Sequence, residues 1–171
     1  MNPQPARLLS SIDSSGRGLE VEFTWQEDRF EHTIYLLREG ARLPAVTSVC
    51  DSPEVDLALV ELHPQLDSAP TPTLFLHGAG GGAQWSMSVE AVEGQGLRFD
   101  VAARVLSPPI DRRLFYRCRS GDEVLLLAPG EATHAEGPSV EGIVTLGVEG
   151  AVPRSTPCTL RWRYTFTMSA D

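Results

Sequence analysis

The stretch CTLRWRYTFTMS, residues 158–169, alternates between apolar and polar side chains along its whole length. Cys158, Leu160, Trp162, Tyr164, Phe166 and Met168 share one parity, and Thr159, Arg161, Arg163, Thr165, Thr167 and Ser169 share the other. Only extended chain has a side-chain period of two. The run therefore specifies a long antiparallel strand with one face in a core and the other in water. LEVEFTW repeats the pattern, with Leu19, Val21, Phe23 and Trp25 inward and Glu20, Glu22 and Thr24 outward.

The same period organises the rest of the chain. WSMSVEAV, the connector EGQG and LRFDVAARV read as a hairpin that places Glu90 within reach of Arg98 or Arg104. A second hairpin turns at Gln26–Asp28, joining LEVEFTW to RFEHTIYLL. Further strands are expected over 45–50, 55–62, 73–77, 112–118, 124–128 and 142–148. The run 124–128 is apolar on both faces and suggests a central strand. SPEVDLALVELHP carries helix-start signals at Ser52 and Pro53, but it also alternates, and strand is the preferred reading.

The 13 Pro and 15 Gly punctuate these runs as turn residues should. The predicted fold is therefore all-β with little or no helix. It has ten or eleven strands in an antiparallel β-sandwich, the alternative being a jelly-roll or closed β-barrel. One domain over residues 1–171 is expected, with 1–7 as a loose tail and the proline-stiffened stretch 63–73 as an exposed connection within it.

Composition excludes several function classes. The net charge of −9 repels phosphate backbones and anionic lipid, so neither nucleic acid nor membrane is an expected partner. All 14 basic residues are Arg, which removes Schiff-base and P-loop lysine chemistry and is what a GC-rich bacterial coding sequence produces. Cys50, Cys118 and Cys158 are odd in number and far apart, so neither a disulfide framework nor a thiolate zinc site is indicated. Cys118 and Cys158 read instead as buried small hydrophobes. The opening MNPQPARLLSSID lacks an apolar secretory core, and no apolar run is long enough to span a bilayer as a helix. The expectation is a cytoplasmic protein.

Two motifs invite chemistry. TLFLHGAGGGAQWS, residues 73–86, enters a glycine cluster as the oxyanion loop of an α/β-hydrolase does. That fold also needs a G-x-S-x-G elbow between strand and helix. The nearest stretch, GPSVEG at 137–142, has the wrong spacing and no helix after it. The cluster is read as a loop leading into the strand at Trp85.

The second motif is SGDEVLLLAPGEATHAEG, residues 120–137. With Gly121-Asp122, Pro129-Gly130 and His134 it resembles the second conserved motif of cupins. That resemblance implies a jelly roll with His134 as a metal ligand. Glu136 is the nearest carboxylate that could join it. The two spacings are longer than the cupin pattern, and the first cupin motif has no counterpart, since Ser86 and Ser88 stand where histidines are wanted. Elsewhere, Asp51, Glu54 and Asp56 read as a solvated acidic turn rather than a calcium loop, and none of His32, His63, His77 and His134 pairs at ligand spacing.

Arginines recur on the outward parity of strands: Arg98, Arg104, Arg117, Arg119, Arg161 and Arg163. If their strands are neighbours, they form a cationic stripe whose planar forks suit carboxylates or phosphates. Cross-strand pairing with Glu90, Asp100 and Glu141 is the competing use. The functional expectation is an all-β binding or interaction module without catalytic chemistry or cofactor. Arg98, Arg104, Arg117, Arg161 and Arg163 would take a protein or a small anionic ligand. The alternative is a cupin-like metal protein using His134 and Glu136. A homodimer formed through an edge, with the long C-terminal strand as the pairing strand, is a third expectation.

Overall fold

A computed structural model of the chain describes residues 4–10, 12–49, 57–65, 71–93, 96–107, 113–118, 125–129, 133–136, 142–148 and 155–168. Their alternating runs pair into two antiparallel sheets, and no helix occurs among them. The seven-stranded sheet runs, edge to edge, through β1 (Ala6–Leu9), β2 (Gly18–Gln26), β3 (Arg29–Arg38), β4 (Ala41–Val49), β9 (Leu114–Cys118), β12 (Ile143–Val148) and β11 (Thr133–Glu136). The six-stranded sheet runs through β10 (Leu125–Pro129), β13 (Cys158–Met168), β8 (Gly96–Val105), β7 (Ala83–Val92), β6 (Thr73–Gly80) and β5 (Leu59–Gln65). The sheets pack face to face as a sandwich and do not close into a barrel.

The core lies between the two inner faces. Leu19, Val21, Phe23, Ile34 and Tyr116 come from one sheet, and Leu76, Met87, Phe99, Val101 and Tyr164 come from the other; all are essentially inaccessible. Both expected hairpins form. β2 and β3 turn between Gln26 and Arg29, and β7 and β8 pair in register from Ala83–Val105 to Val92–Gly96. Strand prolines occupy the places where a missing N–H is tolerated. Pro64 lies on the edge strand β5 and Pro129 ends the edge strand β10. Pro44 lies in an interior strand, where the pairing of β3 with β4 shifts register.

The glycine cluster is a turn. Gly81 and Gly82, with φ of 55° and 80°, join β6 to β7 as the two-residue loop of a hairpin, a conformation that glycine enters without steric cost. The Gly82 carbonyl then accepts the N–H groups of Leu106 and Ser107, which ties the turn to the end of β8. Gly78 has a different reason: a Cβ there would come within 1.6 Å of the Ala58 carbonyl oxygen, where the chain enters β5.

Several sequence expectations need correction. Residues 124–128 do not form a central strand: β10 is an edge strand, and its terminal Pro129 has no N–H for a further neighbour. The C-terminal strand is interior in the sheet order, with β8 pairing Cys158–Phe166 and β10 pairing Tyr164–Met168. The true edges are β1, β11, β10 and β5. Ala6 and Arg7 are not part of a loose tail, since they pair with Phe23 and Glu22 in β1. The strand expected over 55–62 begins at Leu59, and a bulge between Leu59 and Glu61 puts Leu62 opposite Leu76. Bulges break parity, which is why that stretch alternates ambiguously. The described residues form thirteen strands where ten or eleven were expected, the surplus being the four-residue strands β1 and β11. Residues 1–3, Cys50 to Asp56, Leu66 to Pro70, Arg119, Gly121-Asp122, Gly130, Glu131 and Gly137 to Glu141 lie outside the described residues.

Candidate functional site

Four of the five candidate arginines share one surface. Arg98 and Arg104 on β8 and Arg161 and Arg163 on β13 all project from the outer face of the six-stranded sheet, with Thr165 opposite Arg98, Asp100 opposite Arg163, Ala102 opposite Arg161 and Thr159 opposite Arg104. Arg117 is on β9, in the other sheet, so the five do not form one stripe. Across the hairpin Glu90 faces Arg98 and holds it at 2.8 Å through Nε. Asp100 holds Arg163 at 2.6 Å through Nη2.

Arg104 and Arg161 are different. Both are exposed and diagonal to each other across β8 and β13, and neither has a hydrogen-bond or ion-pair partner among the described residues. Gln84 and Ser86 continue their rows onto β7. Diagonal neighbours in an antiparallel pair stand roughly 7–8 Å apart, which lets two guanidinium groups converge on one anion.

The outer face of the seven-stranded sheet carries a closed network that sequence reasoning did not identify. Arg7 binds Glu22 at 2.6 Å, Arg42 reaches Glu20 at 2.5 Å and Glu22 at 2.8 Å, and the Tyr35 hydroxyl donates to Glu22 at 3.2 Å. The Arg42 guanidinium also lies 3.3 Å from the centre of the Tyr35 ring. Burial pushes the Glu22 carboxyl upward, but hydrogen bonds from Arg42 and Arg7, with the charge of Arg42, outweigh it and hold the group below its ordinary value. The spacing of Glu20 and Glu22 on one outward parity was legible; the arrival of Arg7 and Arg42 from other strands was not.

His134 and Glu136 both lie on β11, exposed and two residues apart. The His134 ring lies against the α-carbon of its cross-strand partner Gly147, where an added Cβ would meet Cε1 at 2.3 Å. The halves of the cupin-like stretch diverge, β10 into one sheet and β11 into the other. On β5 and β6, exposed His63 approaches Glu61 at 3.5 Å, and its ring lies 6.0 Å from that of His77. Among the described residues no three His, Cys, Asp or Glu side chains gather into a metal-holding group. Cys118 and Cys158 are free and pack against the core, half-buried where full burial was expected, and burial raises the Cys118 thiol.

A third feature lies in the core. His32 is 5% exposed, set between Phe23 and Phe99 with ring centres 5.0 and 5.4 Å away. Its Nε2 meets the Tyr116 hydroxyl at 3.0 Å, and that hydroxyl meets the Tyr164 hydroxyl at 2.7 Å. The chain of three polar groups crosses from β3 through β9 to β13 and so joins the two sheets. Burial pushes the imidazole down to about 3 and raises both phenols, so all three groups are neutral in neutral water. The Ser48 hydroxyl is committed to the His32 backbone N–H at 2.9 Å. Among the described residues no hydrogen bond joins that hydroxyl to the His32 ring, so the two are not arranged as a nucleophile–base pair. The available signal for this chain was parity: His32 alternates with Phe30 and Ile34, and Tyr116 with Leu114.

A cavity of about 40 Å³ opens beside this chain, between β3, β4 and β9 on one side and Leu57 and Leu59 on the other. No family model, curated protein or solved structure matches this chain. No helix among the described residues is long and apolar enough to cross a membrane.

Proposed function

We propose that this chain is a binding module without catalytic chemistry, and that it takes an anionic group on the outer face of the six-stranded sheet. A carboxylate or phosphate, on a small molecule or on a partner protein, would be gripped by Arg104 and Arg161. The observation that carries this reading is a contrast within one surface. Arg98 and Arg163 are neutralised by carboxylates from neighbouring strands, whereas Arg104 and Arg161 stand adjacent with none. Guanidinium forks are well matched to planar or tetrahedral oxyanions, and the residues in register beside Arg161, Ala102 and Ser86, are small.

Calorimetric titration with inorganic phosphate and with citrate, at low ionic strength because exposed charges are screened by salt, tests the reading. Arg104→Gln and Arg161→Gln should each weaken binding by about tenfold, as loss of one charge-assisted contact does. Arg98→Gln, which removes a cation already held by Glu90, should change it by less than about threefold. Equal effects of all three substitutions, or no saturable binding, would refute it.

A further inference from the structure

The cavity beside His32 differs in chemistry from the arginine face. Its walls include Phe30, Leu57, Leu59, Leu114 and Phe115, and its polar floor is His32 with Tyr116 and Ser48. Arg29 and Glu31 stand at its margin, and Arg29 is held by Asp28 at 2.8 Å. The floor is a fixed element, because β3, β4 and β9 are all interior strands of the sheet.

The direction of the buried hydrogen-bond chain can be deduced. Tyr116 and Tyr164 are 1% and 0% exposed, and among the described residues the Tyr164 hydroxyl has no partner besides Tyr116. If Nε2 of His32 carried the proton and donated to Tyr116, then Tyr116 would donate to Tyr164. The Tyr164 proton would be buried without an acceptor. If Tyr116 accepted from both neighbours, its own proton would be stranded instead. A buried unmade donor costs on the order of 1–3 kcal/mol. One arrangement leaves no phenol proton stranded: Tyr164 donates to Tyr116, Tyr116 donates to Nε2, and the imidazole proton, the one left unmatched, resides on Nδ1. Nδ1 has no hydrogen-bond partner among the described residues and is not among their fully enclosed unpartnered atoms, and His32 lines the cavity.

We infer that the cavity is a binding site for a small neutral molecule with an acceptor oxygen, a short amide or ketone, which receives a hydrogen bond from Nδ1–H of His32 while its apolar body packs against Leu57, Leu59 and Phe115. The size sets the scale. A water needs roughly 10–15 Å³ of such space, so about 40 Å³ takes a body of only a few heavy atoms. The charge sets the sign. Of the charged lining residues Arg29 is paired with Asp28 and Glu31 is an anion, and the imidazole is neutral, so a carboxylate ligand is disfavoured. This site is independent of Arg104 and Arg161, and either can fail without the other.

The test uses the intact chain with acetone and N-methylacetamide as acceptor probes, propane as the apolar probe and acetate as the charged one. Long-range proton–nitrogen spectra of the unmodified protein report the His32 tautomer directly. The expected result is Nδ1–H, with a saturable shift of that nitrogen on adding acetone or N-methylacetamide at millimolar concentration, and none with acetate. Propane should fill the space without moving the Nδ1 resonance. His32→Phe keeps an aromatic ring and should abolish the preference for acetone over propane, which we expect to be about tenfold in the parent protein. The inference is overturned by an Nε2–H tautomer, by no saturable shift with either acceptor probe, or by an unchanged preference in His32→Phe. Should that variant fail to fold, the tautomer and the titration of the parent protein still decide.

Discussion

The two outer faces of the sandwich carry the same residue type to opposite ends. On the seven-stranded sheet Arg7 and Arg42 converge on Glu20 and Glu22, and the Tyr35 ring and hydroxyl complete the set. On the six-stranded sheet two arginines are likewise paired, but Arg104 and Arg161 are left open to solvent. The difference is one of register. Where a carboxylate falls opposite or diagonal to a guanidinium the charge is spent on structure, and where Ala102 and Thr159 fall opposite it remains available.

The comparison is broken most forcefully at Glu22, which is 8% exposed and serves three partners. Glu22→Gln should destabilise the fold by about 2–3 kcal/mol in chemical denaturation, because it leaves Arg7 and Arg42 without their shared charge. A loss as small as that at an exposed pair would show that the closed face is not closed in solution.

Acid sharpens the contrast between outer faces and core. The His32 pKa is depressed in the folded state, to about 3 from 6.5, so the unfolded chain binds the proton more readily. Its contribution to stability is complete above pH 6.5 and is lost as pH falls toward 3. The expected decline is about 2 kcal/mol between pH 8 and pH 5. Denaturation midpoints across that range should show it, and His32→Phe should flatten it. A flat profile in the parent protein would mean that the imidazole is not buried as described. Glu22 adds its own loss at lower pH, since its carboxyl is held below the ordinary value and must be protonated as the fold is acidified.

The partly exposed pairs on the six-stranded sheet give smaller effects. Asp100→Asn should cost no more than about 0.5–1 kcal/mol, because the Arg163 side chain is 46% exposed and its pairing is screened. The same substitution removes a negative charge diagonal to Arg161, and phosphate affinity should rise by about threefold. A fall in affinity would place the anion elsewhere. Smallest of all, Arg104→Gln and Arg161→Gln should leave stability within about 0.5 kcal/mol, since neither side chain holds a partner among the described residues. A larger loss by thermal melting would put them in the framework rather than in a binding surface.

Much of the architecture was legible in the chain. Alternation placed Trp162, Tyr164 and Phe166 inside and Arg161 and Arg163 outside, and so the structure has them. The sequence marked both hairpins, the one whose two-residue loop joins Gln26 to Arg29 and the one whose three-residue connection joins Val92 to Gly96. Reading became unreliable where a bulge interrupts parity, as between Leu59 and Glu61, and where a strand is as short as β1 or β11. The candidate site was half legible. The outward arginines were visible on local pattern alone, but which of them are neutralised depends on strands that approach from elsewhere.

Sequence alone thus determined the class of fold and the side of each long strand that faces the core, because side-chain period is a local property of extended backbone. Tertiary structure alone decided the rest. It separated Arg117 from the other four arginines by placing β9 in the opposite sheet, and it sent β10 and β11 to different sheets. It also brought His32, Tyr116 and Tyr164 into one hydrogen-bonded chain across positions far apart in sequence. Strand order and register are set by how two sheets fill a common core, a balance over the whole molecule that no single stretch of sequence records.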